Sequence, residues 1–279
     1  MEETAVLTKK ITKTALAKKL GISRQSLYYP KKQPLLDEEG KRQIEAVLSD
    51  HPAYGHKRIA LELKLTKKRL LRVMKKFGIK PYRQHARGLR KQEAEGKAAV
   101  ENAINSYQLR CPIRPNVIGV SAFTYIKYRG KFIYVATVME RDTREIIGIA
   151  IARFHDKNRV MEAVMDAEKT TGTAPVYLHS DQGSEYPSDD YKTYVTAKQV
   201  ILSFADKASP WQNGFQESCY GKFKVDLGEV SRFETWGELI EAIHQTIHYY
   251  NHKRKHTTLK MSPVEFKLLY QERGHKAFV

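Results

Sequence analysis

From position 117 to position 205 the chain alternates strand-like and helix-like patterns, and their order constrains the fold more than any other feature. Three runs rich in β-branched and aromatic residues come first and predict an antiparallel meander: 117–128, 131–139 and 144–152. Helices and short strands then alternate, at 158–170, 175–181, 189–199, 200–205, 213–227 and 236–252. The run 175–181 begins with Val176, Tyr177 and Leu178, which predicts a central strand.

This order, β-β-β-α-β-α-β-α-α, is that of the ribonuclease-H-like fold. We therefore predict an α/β chain whose catalytic core of this fold occupies residues 113–227. A C-terminal helical extension of the core is expected at 228–279. The chain before the core lacks strand patterns, so it is predicted to form small all-α units, joined to the core by a basic linker at 81–112.

The net charge of +18 is concentrated in the N-terminal part of the chain. Residues 1–110 hold 26 Lys and Arg against 11 Asp and Glu, a net +15, whereas the rest of the chain holds 23 against 20, a net +3. A basic segment followed by a nearly neutral one indicates a part that holds DNA and a part that does something else. Double-stranded DNA is therefore the expected partner.

A first unit, residues 1–34, has the pattern of a helix-turn-helix. The first helix has an apolar face formed by Ala15, Leu16 and Leu20. Gly21 permits a left-handed turn, Ile22 is expected to fill the angle between the helices, and Ser23 is a suitable N-cap. The start of a second helix in such a unit enters the major groove, which predicts DNA contacts from Arg24, Gln25, Ser26 and Tyr28. A plain helical hairpin is the alternative.

A second helical DNA-binding unit is predicted at 35–80, after a linker at 31–37. The apolar side of its last helix is expected to contain Leu70, Leu71, Val73 and Met74, and Thr66 is the expected N-cap. The outer side of that helix is basic without a single acidic residue, which favours contact with DNA phosphates over a solvated surface. The predicted DNA contacts of this unit are Lys57, Arg58, Lys67, Lys68, Arg69 and Arg72.

Two carboxylates mark a candidate active site between Pro175 and Asp226. Asp181 follows the central strand, and Glu217 lies in the first turns of a helix that Asn213 is expected to cap. Phosphodiester cleavage at a two-metal site needs carboxylates that hold two Mg²⁺ ions about 3.5–4 Å apart, and Mn²⁺ is the expected substitute. DNA phosphate contacts are predicted for Asn213, for Lys224 on the face of Glu217, and for His179. His179 could instead support the metal site, and a packed histidine beside the site explains it equally well.

Five motifs of the chain resemble those of the integrase-core transposases of bacterial insertion sequences. The likeness is greatest to the OrfB-type subunit of the family whose two reading frames are joined by frameshifting. The matching motifs are LAKKLGISRQSLYY, HPAYGHKRI, HSDQGSEY, NGFQESCYGKFK and YYNHKRKHTTLKMSPVEF, and the 35 residues between Asp181 and Glu217 match the family's spacing. In the last motif Arg254 is expected either to contact DNA or, with Asn251, to brace the glutamate helix.

The resemblance implies an enzyme with three acidic catalytic residues that hydrolyses and transesterifies phosphodiesters at transposon ends. It implies dependence on Mg²⁺, binding of terminal inverted repeats and target DNA, and a homo-oligomer assembled on DNA. A bacterial cytoplasmic protein is expected, since the two cysteines, Cys111 and Cys219, have no metal-type spacing and no apolar run is long enough for a membrane span.

Two positions of the first strand depart from this pattern. The family writes its first strand as Pro-Asn-x-x-Trp-x-x-Asp-x-Thr-Tyr-Ile, whereas this chain has PNVIGVSAFTYI, with Gly119 in place of Trp and Ala122 in place of the first catalytic Asp. Neither Glu140 nor Asp142 is expected to substitute. We therefore expect a chain that holds DNA with little or no cleavage. An engineered inactivation and natural decay both explain Ala122, and the intact motifs elsewhere favour the first.

Two other functions remain open at this point. A catalytically dead DNA-binding regulator of transposition would explain Ala122, but such a protein would not need Asp181, Glu217 and Lys224. A structure-selective ribonuclease-H-like nuclease would keep the acidic residues, but it would not need two helical units for reading DNA.

Overall fold

The computed structural model describes residues 12–27, 32–81, 115–153, 158–181, 189–205 and 214–273. A five-stranded sheet has the order β3-β2-β1-β4-β5. The strands are β1 (Ile118–Tyr128), β2 (Lys131–Glu140), β3 (Ile146–Ala152), β4 (Tyr177–Ser180) and β5 (Ile201–Phe204). The first three are antiparallel neighbours, and β4 pairs in parallel with both β1 and β5. The predicted meander and the interior position of the fourth strand are confirmed.

Helices cover both faces of the sheet. On one face, α5 (Asn158–Thr171) and α6 (Asp189–Ala197) pack over a core that includes Ala136 and Val138. On the other, α7 (Gly214–Leu227) and α8 (Trp236–His252) pack over Ile126 and Val135. The alternation of side chains along β2 thus supplies both cores. A last helix, α9 (Pro263–Arg273), follows a turn and was not singled out in the sequence.

The β3 strand is held closely on two sides. Gly148 permits the approach of α5, because a Cβ atom at this position would lie 2.1 Å from the carbonyl oxygen of Ala163. On the outer edge, the side-chain amide of Asn251 donates to the carbonyl of Ile146 at 2.8 Å and accepts from its N–H at 2.9 Å. The Ile149 N–H donates to a carboxylate oxygen of Asp166 at 3.0 Å.

The first helix, α1 (Lys13–Lys19), is less buried than the sequence predicts. Thr12 caps it, and Gly21 adopts the predicted left-handed conformation with φ of +64°. However, Leu16, Leu20 and Ile22 are exposed, and Ala17 is the buried residue of the helix, so the predicted apolar face and the packing role of Ile22 are wrong. After the turn the structure describes a short 3₁₀ helix, Arg24–Leu27, where an α-helix is predicted.

The second helical unit consists of α2 (Lys32–Asp50), α3 (His56–Glu62) and α4 (Lys67–Lys76). The predicted linker at 31–37 is wrong, because α2 already begins at Lys32; Pro34 is compatible with a first helical turn, where its missing N–H has no intrahelical partner. Thr66 caps α4 as predicted. Leu70, Val73 and Met74 are buried, whereas Leu71 is exposed, so its assignment to the apolar side is wrong.

The second helical unit contacts the segment after α8. The Tyr54 hydroxyl accepts from the Lys255 N–H at 2.8 Å, and the Lys255 ammonium pairs with Glu62 at 3.1 Å. The Arg58 Nε donates to the carbonyl of Lys255 at 2.8 Å. None of the helices in the described ranges is long and apolar enough to cross a membrane.

Candidate functional site

Ala122 and Asp181 lie on neighbouring strands at the same level. Strands β1 and β4 are parallel, with Val120 opposite His179. Continuing this register by two residues places Asp181, which directly follows β4, opposite Ala122. Because alternate residues of a strand share a face, Ala122 is on the same face as Ile126, which packs under α7 and α8. The position of the missing Asp therefore faces α7, with Asp181 exposed beside it.

Helix α7 is fixed to β1 by two buried polar side chains. The Gln216 Nε2 donates to the carbonyl of Val120 at 2.7 Å, and the Tyr220 hydroxyl donates to the carbonyl of Ala122 at 2.7 Å. A hydroxyl has one proton, so in its second contact, at 2.7 Å, Tyr220 accepts from Thr137. Burial raises the pKa of Tyr220, and the nearby Asp181 charge raises it further.

Glu217 follows Gln216 and lies three residues before Tyr220, so it projects beside the helix face that contacts β1. Its side chain is exposed, as is that of Asp181. The structure thus brings positions 122, 181 and 217 to one region from β1, the end of β4 and α7. Both anchors of α7 bind backbone carbonyls of β1, so the placement of Glu217 does not depend on the side chain at position 122.

Lys224 and His179 flank this region in different ways. Lys224 is half-buried, with its ammonium 5.0 Å from the ring centre of Tyr125, and burial lowers its pKa. His179 is fully buried, and its Nδ1 lies 3.0 Å from the Ser203 hydroxyl. This burial favours a packed histidine over a phosphate contact.

Arg254 braces the glutamate helix. Its Nη1 pairs with Asp226 of α7 at 2.9 Å, and both side chains are buried. The structure therefore shows the bracing contact expected for this residue. Asn251 holds β3 instead of α7.

Glu140 is already engaged away from the candidate site. It lies opposite Gly119 in the sheet, whereas Ala122 lies opposite Thr137. Its Oε2 accepts from the N–H of Thr143 at 2.6 Å and from its hydroxyl at 2.7 Å. These bonds stabilise the turn after β2.

The side chains present at this site do not fit a two-metal centre. A methyl group at position 122 offers no oxygen to a hard cation, and the carboxylates described near it are Asp181 and Glu217. Within the described ranges, no group of three or more His, Cys, Asp and Glu side chains could hold a metal ion.

The predicted DNA-contact residues of the N-terminal part divide into two groups. Exposed side chains are found at Arg24, Gln25, Lys57, Lys67, Lys68 and Arg69. Arg72 is exposed as well but pairs with Asp37 at 2.6 Å, together with Lys76 at 2.9 Å, and Arg58 bonds the backbone of Lys255. Tyr28, Asn213 and the side chain of Ser26 lie outside the described residues.

Sequence reasoning missed the residues that position the site. Gln216 and Tyr220 are four residues apart in the glutamate motif, a spacing that puts two polar side chains on one helix face. That spacing was the available signal. No sequence signal indicated the partners of Arg72 and Arg58, since Asp37 and Lys255 are distant from them in sequence.

Comparison with known proteins agrees with this geometry. Two models of the integrase core domain match the chain, at residues 112–210 and 198–263. An uncharacterized transposase-like protein of Haemophilus influenzae is 30% identical over 55% of this chain and 72% of its own length. The transposase for insertion sequence element IS904 of Lactococcus lactis is 29% identical over 85% of this chain and 96% of its own length.

A solved structure of the simian T-cell lymphotropic virus intasome, in complex with the PP2A regulatory subunit B56 gamma, matches 81% of this chain and 74% of its own with a TM-score of 0.51. Its 14% identity limits that likeness to the fold. Fold and site together define a protein with an integrase-like core of the ribonuclease-H-like class. The chain belongs to the bacterial insertion-sequence transposases, a family of enzymes that use divalent metal ions.

Proposed function

We propose that this chain binds the terminal inverted repeats of its insertion element as a homo-oligomer, and that Ala122 leaves it with little or no strand cleavage and transfer. The observation that supports this is the placement of Ala122 beside Asp181 and on the face covered by α7. The rest of the site is retained. Such a chain keeps the surface for DNA while it lacks one metal ligand.

The same observation favours a second candidate function, a regulator of transposition. A chain that binds the ends and does not cut them occupies the sites of an active transposase. Both functions require preference for terminal repeats over random duplex, and they differ in whether activity returns when the carboxylate is restored.

The test restores the carboxylate with Ala122→Asp. We expect Mg²⁺- or Mn²⁺-dependent cleavage or joining of duplexes that carry the terminal repeats of the element. The backbone carbonyl of residue 122 still accepts from Tyr220, so α7 should stay in place. The matched control is Ala122→Asn, which has nearly the same volume but a weaker oxygen ligand, and it should remain inactive.

A second readout does not depend on activity. In Ala122→Asp, Mg²⁺ should stabilise the folded state by about 2.7 kcal/mol at a concentration 100 times its Kd. This stabilisation should appear as a higher melting temperature. The present chain and Ala122→Asn should show a much smaller effect. An Ala122→Asp variant that is inert on terminal repeats with both metals, and unaffected by Mg²⁺ in melting, would contradict the proposed three-carboxylate site. Equal affinity for terminal repeats and random duplex would contradict specific end binding.

A further inference from the structure

A cavity of about 360 Å³ lies across α7 from Glu217. Gly214, Phe215, Ser218 and Lys222 line it from α7, a different stripe of the helix from Gln216 and Tyr220, which contact β1. A water molecule takes about 30 Å³, so there is room for a polyatomic anion with part of its hydration shell.

The lining carries four permanent cations and no carboxylate: Arg58, Arg144, Lys222 and Arg254. Asp226 pairs with Arg254, and the charges of Asp142 and Glu140 act on Arg144, so part of this positive charge is compensated. The hydroxyls of Thr257 and Thr258 and the first turn of α7 also border the space, and these groups favour an anion as well. The charge of this cavity is therefore strongly positive.

Arg254 is buried but incompletely bonded. It is 2% exposed, and one of its nitrogens, Nη1, pairs with Asp226. Its Nε and Nη2 are buried without a hydrogen-bond partner among the described residues. Buried N–H groups of a charged side chain are costly to leave unbonded, so an acceptor brought within reach of these donors would be stabilised.

Arg144 presents a second set of donors in a fixed orientation. Its guanidinium carbon lies 3.6 Å from the ring centre of Phe215, which holds the group as a plane. Its Nε and Nη1 are also buried without a partner in the described part of the chain. The backbone of Arg144 has φ of +63°, a conformation that is unfavourable for arginine and is found at functional sites.

We propose that this pocket binds a phosphate group through the guanidinium groups of Arg144 and Arg254, with Lys222 and Arg58 adding charge. Planar guanidinium forks match the oxygens of a phosphate, and four cations suit an anion with more than one negative charge. The phosphate belongs either to the DNA backbone or to a free inorganic anion. The first source rests on the proposed DNA-binding function, and the second does not.

The direct test titrates the full chain with inorganic phosphate in a chloride buffer, by calorimetry. We expect saturable binding that Arg144→Met weakens by about tenfold or more, since a charged hydrogen bond to an anion is lost. Lys222→Met should weaken it in the same direction. If Arg144→Met does not fold, as judged by circular dichroism, Lys222→Met carries the comparison.

Arg129→Met is the matched control. Arg129 also has a left-handed φ, of +46°, and its guanidinium carbon lies 5.5 Å from the ring centre of Tyr128, but it does not line the cavity. Arg129→Met removes the same positive charge as Arg144→Met. This variant should alter phosphate affinity by less than about twofold.

A second arm measures duplex DNA binding by the same variants. A larger loss for Arg144→Met than for Arg129→Met identifies a DNA phosphate as the occupant, and equal effects on DNA identify a free anion. The proposal is overturned if no saturable phosphate binding occurs, or if Arg129→Met weakens it as much as Arg144→Met. Because the phosphate titration contains no DNA, its failure is distinct from a failure of end binding.

Discussion

The ring of His256 lines the cavity that Arg144 and Arg254 also line, and the pKa of this ring is lowered by its surroundings. Burial and the charges of Arg144, Arg58 and Arg254 lower its pKa to about 4. Its Nδ1 accepts from the N–H of Thr258 at 3.3 Å, which assigns the proton of the neutral ring to Nε2. At neutral pH the residue is thus uncharged.

This lowered pKa predicts a pH dependence of stability. Between pH 4 and 6.5 the unfolded chain binds a proton at His256 that the folded chain does not. The contribution to stability is complete above pH 6.5 and is lost as the pH falls towards 4. His256→Asn should therefore flatten the fall in the free energy of unfolding across this window, as measured by urea denaturation.

The control for this prediction is His252→Asn, which removes an exposed histidine outside the pocket. Asp226 contributes a slope of the opposite sign, because burial raises its pKa. It is common to all variants, so the difference between them isolates His256. Identical slopes for the parent and His256→Asn would contradict the assignment.

Single residues of the site were predictable to different degrees. The spacing and family resemblance identified positions 122, 181 and 217, and the structure brings these positions together. The environments of His179, Arg72 and Arg254 were not predictable, because each depends on a partner distant in sequence: Ser203, Asp37 and Asp226. A basic side chain in a sequence does not reveal whether its charge is already used inside the protein.

Among the secondary-structure elements, the strands were predicted more accurately than the N-terminal helices. Each strand of the core is buried on at least one face, so hydrophobic pattern and structure agree. Helix α8 was predicted at its observed bounds, Trp236–His252, because Thr235 caps an amphipathic run. The start of α2 was missed because Pro34 and the lysines of 31–37 resemble a linker, although a proline in the first turn costs little.

The contact between α5 and β3 gives a prediction at this scale. Gly148→Ala should lower the free energy of unfolding by about 1–3 kcal/mol, because the added Cβ overlaps backbone atoms of α5. The measurement is urea unfolding of the purified variant. No change in stability would mean that the two elements are not packed this closely.

Gly40→Ala is the matched control. Gly40 lies inside α2, and a Cβ there would meet the Val73 side chain at an ordinary 3.6 Å. The same substitution should raise stability by about 0.5–1 kcal/mol, since alanine loses less backbone entropy in a helix. The two substitutions are therefore expected to change the free energy of unfolding in opposite directions.

At the scale of the whole molecule, charge divides the chain into a basic N-terminal part and a nearly neutral core, as the sequence predicts. The structure refines this division, because part of the basic charge of α4 is neutralised within the protein. The Arg72 and Lys76 hydrogen bonds hold the pKa of Asp37 well below its usual range. Lys67, Lys68 and Arg69 of the same helix are exposed.

Because Arg72 pairs with Asp37 and Lys68 is exposed, these two cations are expected to affect DNA binding differently. Lys68→Gln should reduce the slope of log affinity against log salt by roughly 1, the value for one lost phosphate contact. Arg72→Gln should instead lower the urea midpoint, because it removes a partner of Asp37, and change the slope less. The measurements are fluorescence anisotropy on duplex DNA between about 50 and 200 mM salt and urea unfolding. A larger change in this slope for Arg72→Gln than for Lys68→Gln would contradict the assignment of the phosphate contact to Lys68.

The side chains on the outer edge of β3 limit how copies of this chain can associate. An exposed edge strand normally offers its N–H and C=O groups to a strand of another molecule. Here Asn251 already occupies both groups of Ile146, and Asp166 occupies the N–H of Ile149. An incoming strand would have to break these bonds and detach the end of α8. Assembly on DNA should therefore use helical surfaces rather than continuation of the sheet past β3, and this same edge is protected from aggregation.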